Sequence, residues 1–143
     1  MKLLFAIAAL LAGCASATAC DGLTADAPWI RPAPPDASMR VGYVVLNNAA
    51  RAPVTIEAID SPDFGAVEIH ETRVEDGMSH MHRIASLAVP PDGHLALQPG
   101  GRHLMLMRPA RALKPGDTAE LTLHCADGPL TISFPVKAPA EYD

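Results

Sequence analysis

The chain has 143 residues, with 11 basic side chains against 16 acidic ones and a formal charge of −5. That length makes one domain, large enough to bury a core without several covalent staples. The acidic balance, the absence of a basic patch and an aromatic content of 4% argue against nucleic acid, an anionic membrane surface and a stacking platform for bases or sugars.

Residues 1–19 read as an export signal rather than as fold. Lys2 supplies a short positive region, Leu3 to Ala12 is an uninterrupted apolar run, and small residues follow. The run is too short to span a bilayer as a mature helix. Two processing sites compete. Leu11-Ala12-Gly13-Cys14 has the form of a lipobox, in which Cys14 becomes a lipidated first residue, and Ala17-Thr18-Ala19 is a small-x-small cleavage site before Cys20. Either route exports the protein, with the periplasm the expected compartment and Cys14 a candidate membrane anchor. Losing Lys2 leaves ten basic residues against sixteen acidic ones, so the mature charge is about −6.

An exported chain meets oxidising conditions. Both routes leave Cys20 and Cys125 as an even pair. A disulfide between them closes a loop of about a hundred residues, worth on the order of 4 kcal/mol in the chain-entropy model. The alternative is two unpaired thiols. Zinc binding by this pair is disfavoured, because neither has a second Cys or His at ligand spacing.

Residues 20–137 read as β throughout. Alternating runs recur at Leu23–Ile30, Val41–Asn47, Val54–Asp60, Ala66–Val74, Met78–Leu87, His94–Leu97, His103–Met107, Thr118–Cys125 and Leu130–Val136. Turn signals separate them: Asn47-Asn48, Ser61-Pro62-Asp63, Asp76-Gly77, Pro90-Pro91-Asp92-Gly93, Pro99-Gly100-Gly101, Lys114-Pro115-Gly116-Asp117 and Asp127-Gly128. Many short strands at such spacing form a sandwich or small barrel. No helix with start and stop signals runs beyond a turn or two, and residues 138–143 read as a loose tail.

Within this pattern the stretch from His70 to Met105 carries the chemistry. Ten residues separate His70 from Met81, twenty-one separate Met81 from His103, and Met105 lies two positions beyond His103. Asp76-Gly77 between EIHETRV and MSHMHRI is a two-residue hairpin signal. Closed there, the hairpin sets Glu75 against Met78, Thr72 against Met81 and His70 against Arg83. His70 and Met81 then become diagonal neighbours on one face, roughly 7–8 Å apart at their backbones. His103 and Met105 share a face as an i, i+2 pair. Thioethers are soft neutral donors that select Cu(I), and imidazole accepts both copper states. The set suits Mg or Ca badly. His70, Met81, His103 and Met105 are therefore the candidate metal ligands.

The same residues carry a family resemblance. H-x10-M-x21-H-x-M resembles the ligand pattern of the PCu(A)C family of periplasmic copper chaperones at His70, Met81, His103 and Met105. Trp29-Ile30-Arg31, Gly42-Tyr43 leading to Asn47, Leu97-Gln98-Pro99-Gly100-Gly101 and Leu113-Lys114-Pro115-Gly116-Asp117 resemble that family's blocks as well. The resemblance implies a cupredoxin-like Greek-key β-sandwich of one domain, binding Cu(I) at an exposed site as a monomer. The task it implies is carriage of copper in the periplasm toward the binuclear copper centre of cytochrome c oxidase, with subunit II or a Sco-type protein receiving the ion. The chain departs from the pattern at His82, where Arg or Lys is expected after the second ligand.

Other residues admit plainer readings. By strand parity His80 and His82 point away from Met81, as surface histidines or as a weaker secondary site for Cu(II). Met107 shares a face with His103 and Met105, as a spare ligand or a packing residue. Met39 and Met78 shield the site or fill space, His94 and His124 read as surface or hydrogen-bonded histidines, and Trp29 as a core anchor. Three rival functions stand beside a copper carrier. A blue-copper protein needs a thiolate, and Cys125 has only His124 beside it. An enzyme is disfavoured, because His70 paired with Glu71 or Glu68 requires strand neighbours that point apart, and no nucleophile motif occurs. A non-metal β-sandwich interaction module and a general copper-binding or tolerance protein complete the alternatives.

Overall fold

The structure is a computed structural model and describes residues 20–139. The signal at 1–19, with Cys14 and both processing sites, and residues 140–143 of the tail lie outside the described residues. Eleven strands follow in order among the described residues: β1 (Leu23–Ile30), β2 (Met39–Asn48), β3 (Val54–Ile56), β4 (Ala58–Asp60), β5 (Phe64–Glu75), β6 (Met78–Ile84), β7 (Leu87–Val89), β8 (Gly93–Leu97), β9 (Arg102–Pro109), β10 (Thr118–Cys125) and β11 (Gly128–Pro135). The all-β expectation holds, with no α-helix among the described residues.

A six-stranded sheet runs β1-β2-β9-β5-β6, and β8 adds to β2 where β9 leaves it. A three-stranded sheet, β11-β10-β4, faces it, and β3 pairs with β7 as a small third sheet. Alternation builds the core between them. Val44, Leu46, Ile69, Leu104 and Leu106 point inward from the large sheet and meet Ala119, Leu121, Leu123, Ile132 and Phe134 from the facing one. The opposite face of the large sheet is left to other residues.

Two expected strands divide. Val54–Asp60 splits at Glu57, whose N–H bonds the carbonyl of His124. Before the split β3 pairs β7, and after it β4 pairs β10. The apolar spacing explains the division: Val54 and Ile56 alternate, but the next inward residue is Ile59, a slip of one that moves the chain to the other sheet. Met78–Leu87 likewise ends at Ile84, and Leu87 begins β7, again one position out of phase.

Cys20 and Cys125 are bonded to each other, with Cα atoms 5.3 Å apart and a separation of 105 positions in sequence. Beside them Asp127 accepts the backbone N–H groups of Cys20 at 2.9 Å and Asp21 at 2.8 Å. This ties the entry of β1 to the turn between β10 and β11. Arg40 is an uncommon core member at 1% exposure. Its guanidinium donates to the carbonyls of Ala33, Pro34, Pro35 and Leu113, and so pins the proline-rich connection that leads into β2.

Candidate metal site

The hairpin closes as its two turn residues demand. Asp76 and Gly77 have φ of 51° and 78°, both positive, as a primed turn requires. The resulting register sets Glu75 opposite Met78, Thr72 opposite Met81 and His70 opposite Arg83. On its other side β5 pairs with β9, and there His70 stands directly opposite His103, with Glu68 opposite Met105. Residues opposed across a ladder share a face. The structure therefore puts His70, Met81, His103 and Met105 on one face of the large sheet, the outer one, while Ile69 and Leu104 beside them turn into the core.

The four positions differ in setting. His103 and Met105 lie in the middle of the sheet and are 5% and 7% exposed. Met105 is buried yet stands apart from the hydrophobic core cluster. His70 is partly covered, its side chain 18% exposed. Met81 is 60% exposed, on a strand with one hydrogen-bonded neighbour among the described residues. His70 and Met105 are paired with neighbouring strands on both sides, His103 is paired with β5, and Met81 sits on the edge strand.

Hydrogen bonding orients both imidazoles. Nδ1 of His103 lies 3.1 Å from the carbonyl oxygen of Gly101. A carbonyl only accepts, so this nitrogen carries the proton and Nε2 keeps its lone pair. Nε2 of His70 lies 2.8 Å from Oε2 of Glu68, which fixes the proton there and leaves the lone pair on Nδ1. Both of these second nitrogens, Nδ1 of His70 and Nε2 of His103, are buried and have no hydrogen-bond partner among the described residues. The rings face each other across the β5–β9 ladder with centroids 6.0 Å apart and planes inclined by 40°. Buried polar atoms left without partners cost free energy, about 1–3 kcal/mol each. A ligand that accepts both lone pairs removes that cost.

The carboxylate behind His70 is itself anchored. The hydrogen bond from His70 holds the Glu68 carboxyl below the ordinary carboxylate range, and the nearby charges of Arg83 and Arg108 act in the same direction. Arg83 Nε approaches the other Glu68 oxygen at 3.5 Å. Carboxylate to imidazole to open lone pair is the arrangement that fixes ring orientation and raises donor strength in metal-binding histidines.

The strand-parity objection to an acid–base pair applies to Glu71, which points to the other face. It does not apply to Glu68, which lies two positions back and shares the face of His70. The sequence held the signal, since i and i+2 on a strand always share a face. Missed altogether were the β5–β9 pairing that opposes the two histidines and the Gly101 carbonyl that sets the tautomer of His103.

The remaining residues fall as follows. His80 and His82 lie on the opposite face of β6, across from Arg73 and Glu71, and His82 Nε2 is 3.2 Å from Glu75 Oε1. His124 bonds Asp60 at 2.8 Å. Trp29 is not in the core: it sits against Tyr43 on the outer face, centroids 4.8 Å apart, with the Lys137 ammonium 4.4 Å above its ring. Cys20, Cys125 and Asp127 bring donor atoms within 4.8 Å of one another. The two sulfurs are bonded together, so they offer no thiolate to a blue-copper centre and no ligand set for zinc.

A family model described as "LpqE-like: Putative lipoprotein LpqE-like" matches residues 23–136. The protein named "Putative lipoprotein Lxx21020" of Leifsonia xyli subsp. xyli is 28% identical over 119 residues, a span of 82% of this chain and 70% of that protein. Among solved structures, a copper-bound PCuAC domain from PmoF2 aligns with a TM-score of 0.69 at 26% identity, over 82% of this chain and 94% of that one. The solution structure of Cu(I)-bound DR1885 from Deinococcus radiodurans aligns with a TM-score of 0.65 at 29% identity, over 90% and 87%. The likeness extends across the sandwich, and the fold is cupredoxin-like.

Proposed function

The chain belongs to the LpqE-like family, of PCuAC type, and from that premise we propose that it is an exported Cu(I) metallochaperone whose four donors are His70 Nδ1, Met81 Sδ, His103 Nε2 and Met105 Sδ. The observation that carries this reading is the pair of buried imidazole nitrogens, unpartnered among the described residues, on rings opposed across β5 and β9. Each ring already spends its proton on a fixed acceptor, Glu68 or Gly101. What remains is neutral donors only, which suits a monovalent soft ion. Copper-bound relatives of the same fold support the choice of metal.

Copper is cargo here rather than a resident cofactor. His103 and Met105 give it a fixed seat, and the exposed Met81 closes the coordination from the sheet edge. Release then begins at Met81, where a recipient's donor can displace one thioether while the imidazoles still hold the ion. The recipient we favour is the binuclear copper centre of cytochrome c oxidase, reached directly at subunit II or through a Sco-type protein, with the chaperone periplasmic and Cys14 a candidate lipid anchor. The relative named as a lipoprotein supports export, and the sequence pattern supports the destination.

The test is Cu(I) competition against a chromophoric chelator under anaerobic reducing conditions, with the mature protein and its Met81→Ala and His103→Ala variants. We expect one tight equivalent and no intense visible band. His103→Ala weakens it by about a hundredfold or more, since loss of an outer partner alone costs 10–100-fold. Met81→Ala weakens it less. Equal affinity in all three proteins overturns the ligand assignment.

A further inference from the structure

Five methionines stand among the described residues, Met39, Met78, Met81, Met105 and Met107. The ladders sort four of them onto one face. Met107 pairs directly with Met39 across β9 and β2, and Met105 lies two positions from Met107 toward His103. Met81 shares that face through Thr72 and His70. Only Met78 turns the other way, opposite Glu75 at the hairpin tip.

Directly opposed residues of an antiparallel pair have Cβ atoms about 4.5–5.5 Å apart. Two methionine side chains on such a pair reach a common point easily, because each has three rotatable bonds and a polarisable sulfur at its end. Their setting is not that of packing residues. Met39 is 48% exposed, Met107 is only half-buried, and neither belongs to the core cluster. The residue opposite Met107 on its other side, Ala66 of β5, is too small to crowd the sulfurs. The backbone of Met39 is fixed despite this exposure, since Arg40 beside it is buried and tied to four carbonyls.

We infer that Met39 and Met107 form a second Cu(I) subsite, built of thioethers alone and adjoining the four-residue site through Met105. Lacking imidazole, it binds more weakly than the first. Cu(I) accepts low coordination from soft neutral donors, so two sulfurs, with Met105 within reach, suffice to hold it transiently. The subsite gives the ion a stepping point from the middle of the sheet to the start of β2, on the opposite side of the histidines from Met81. The inference rests on the Cu(I) reading of the main site only for its role, since the pair of sulfurs is a soft-metal site in its own right.

The experiment follows the methyl resonances of methionines labelled with carbon-13 while Cu(I) is added anaerobically to the mature protein in steps to two equivalents. The methyls of Met81 and Met105 move during the first equivalent, and those of Met39 and Met107 during the second. A chelator competition run in parallel shows the second equivalent about tenfold or more weaker than the first. Met39→Leu with Met107→Leu, which keeps side-chain volume and removes both sulfurs, leaves the first equivalent intact and abolishes the second. The inference is overturned if the Met39 and Met107 methyls stay fixed through two equivalents, or if the double variant binds as much Cu(I) as the wild type. Movement at Met39 and Met107 without movement at Met81 keeps the subsite and removes the four-residue assignment, so the two ideas fail separately.

Discussion

Two regions of the sandwich satisfy their polar atoms in opposite ways. Around Cys20 and Cys125, the disulfide closes the chain and Asp127 takes up two backbone N–H groups that face it. Around His70 and His103, each ring uses one nitrogen and leaves the other buried without a partner. The first region is arranged for stability of the folded chain. The second holds back part of its bonding capacity, and that reserve is what a ligand can use.

The largest effect that tests this contrast lies at the disulfide. Replacing Cys20 and Cys125 together by serine removes a cross-link spanning 105 residues of sequence. The chain-entropy model values such a link at about 4–5 kcal/mol. We expect thermal unfolding to show a large fall in Tm, while Cu(I) affinity measured well below the new transition stays at the wild-type value. A parallel loss of affinity would mean that the donor region depends on the disulfide for its shape, and the two regions would no longer be separable.

A smaller effect of opposite sign is expected at His103. Burying Nε2 without a partner costs about 1–3 kcal/mol. His103→Leu removes that atom and keeps an apolar side chain of similar reach. The Gly101 carbonyl it abandons still accepts the N–H of Thr72 at 3.3 Å. The apo variant should therefore unfold at an equal or higher temperature than wild type, by up to about 1 kcal/mol of added stability, while Cu(I) binding is lost. Calorimetry of the metal-free proteins decides it. A variant clearly less stable than wild type would show His103 to be held for packing.

The contrast also marks what was legible in the sequence. Asp76-Gly77 fixes the β5–β6 register residue by residue, because a two-residue primed turn allows one pairing only. Parity then puts His70 and Met81 on one face, and His103 and Met105 on one face. Nothing local states that these two faces are the same, since β5 and β9 are joined by more than twenty-five residues of intervening chain and their register is set by which apolar side chains reach the core. The cysteine pair was legible by elimination in an exported chain. The splitting of Val54–Asp60 was not read, although Ile56 and Ile59 carry the phase slip. For Trp29, size and apolarity favour the interior, whereas its strand position faces Tyr43 and Lys137 on the outside.

The smallest expected effect is a pH dependence at the disulfide, read as the difference between an Asp127 variant and wild type. The N–H groups of Asp21 and Cys20 hold the Asp127 carboxyl below its ordinary value, the bond from Asp21 contributing most. Its folded pKa is thus lower than its unfolded one. The stability it contributes is fully present above the unfolded value, near 4 for an aspartate, and is lost as pH falls through the lower folded value. Asp127→Asn keeps an oxygen acceptor for one of the two N–H groups but has no charge to titrate. At neutral pH the variant should be slightly less stable than wild type, and the difference should shrink as the pH is lowered past 4, with both proteins converging in strong acid. Chemical denaturation across that range measures it. A difference that stays constant with pH would assign the effect to lost hydrogen-bond geometry alone, and the charge on Asp127 would then have no share in the tight closure that sets this region apart from the donor site.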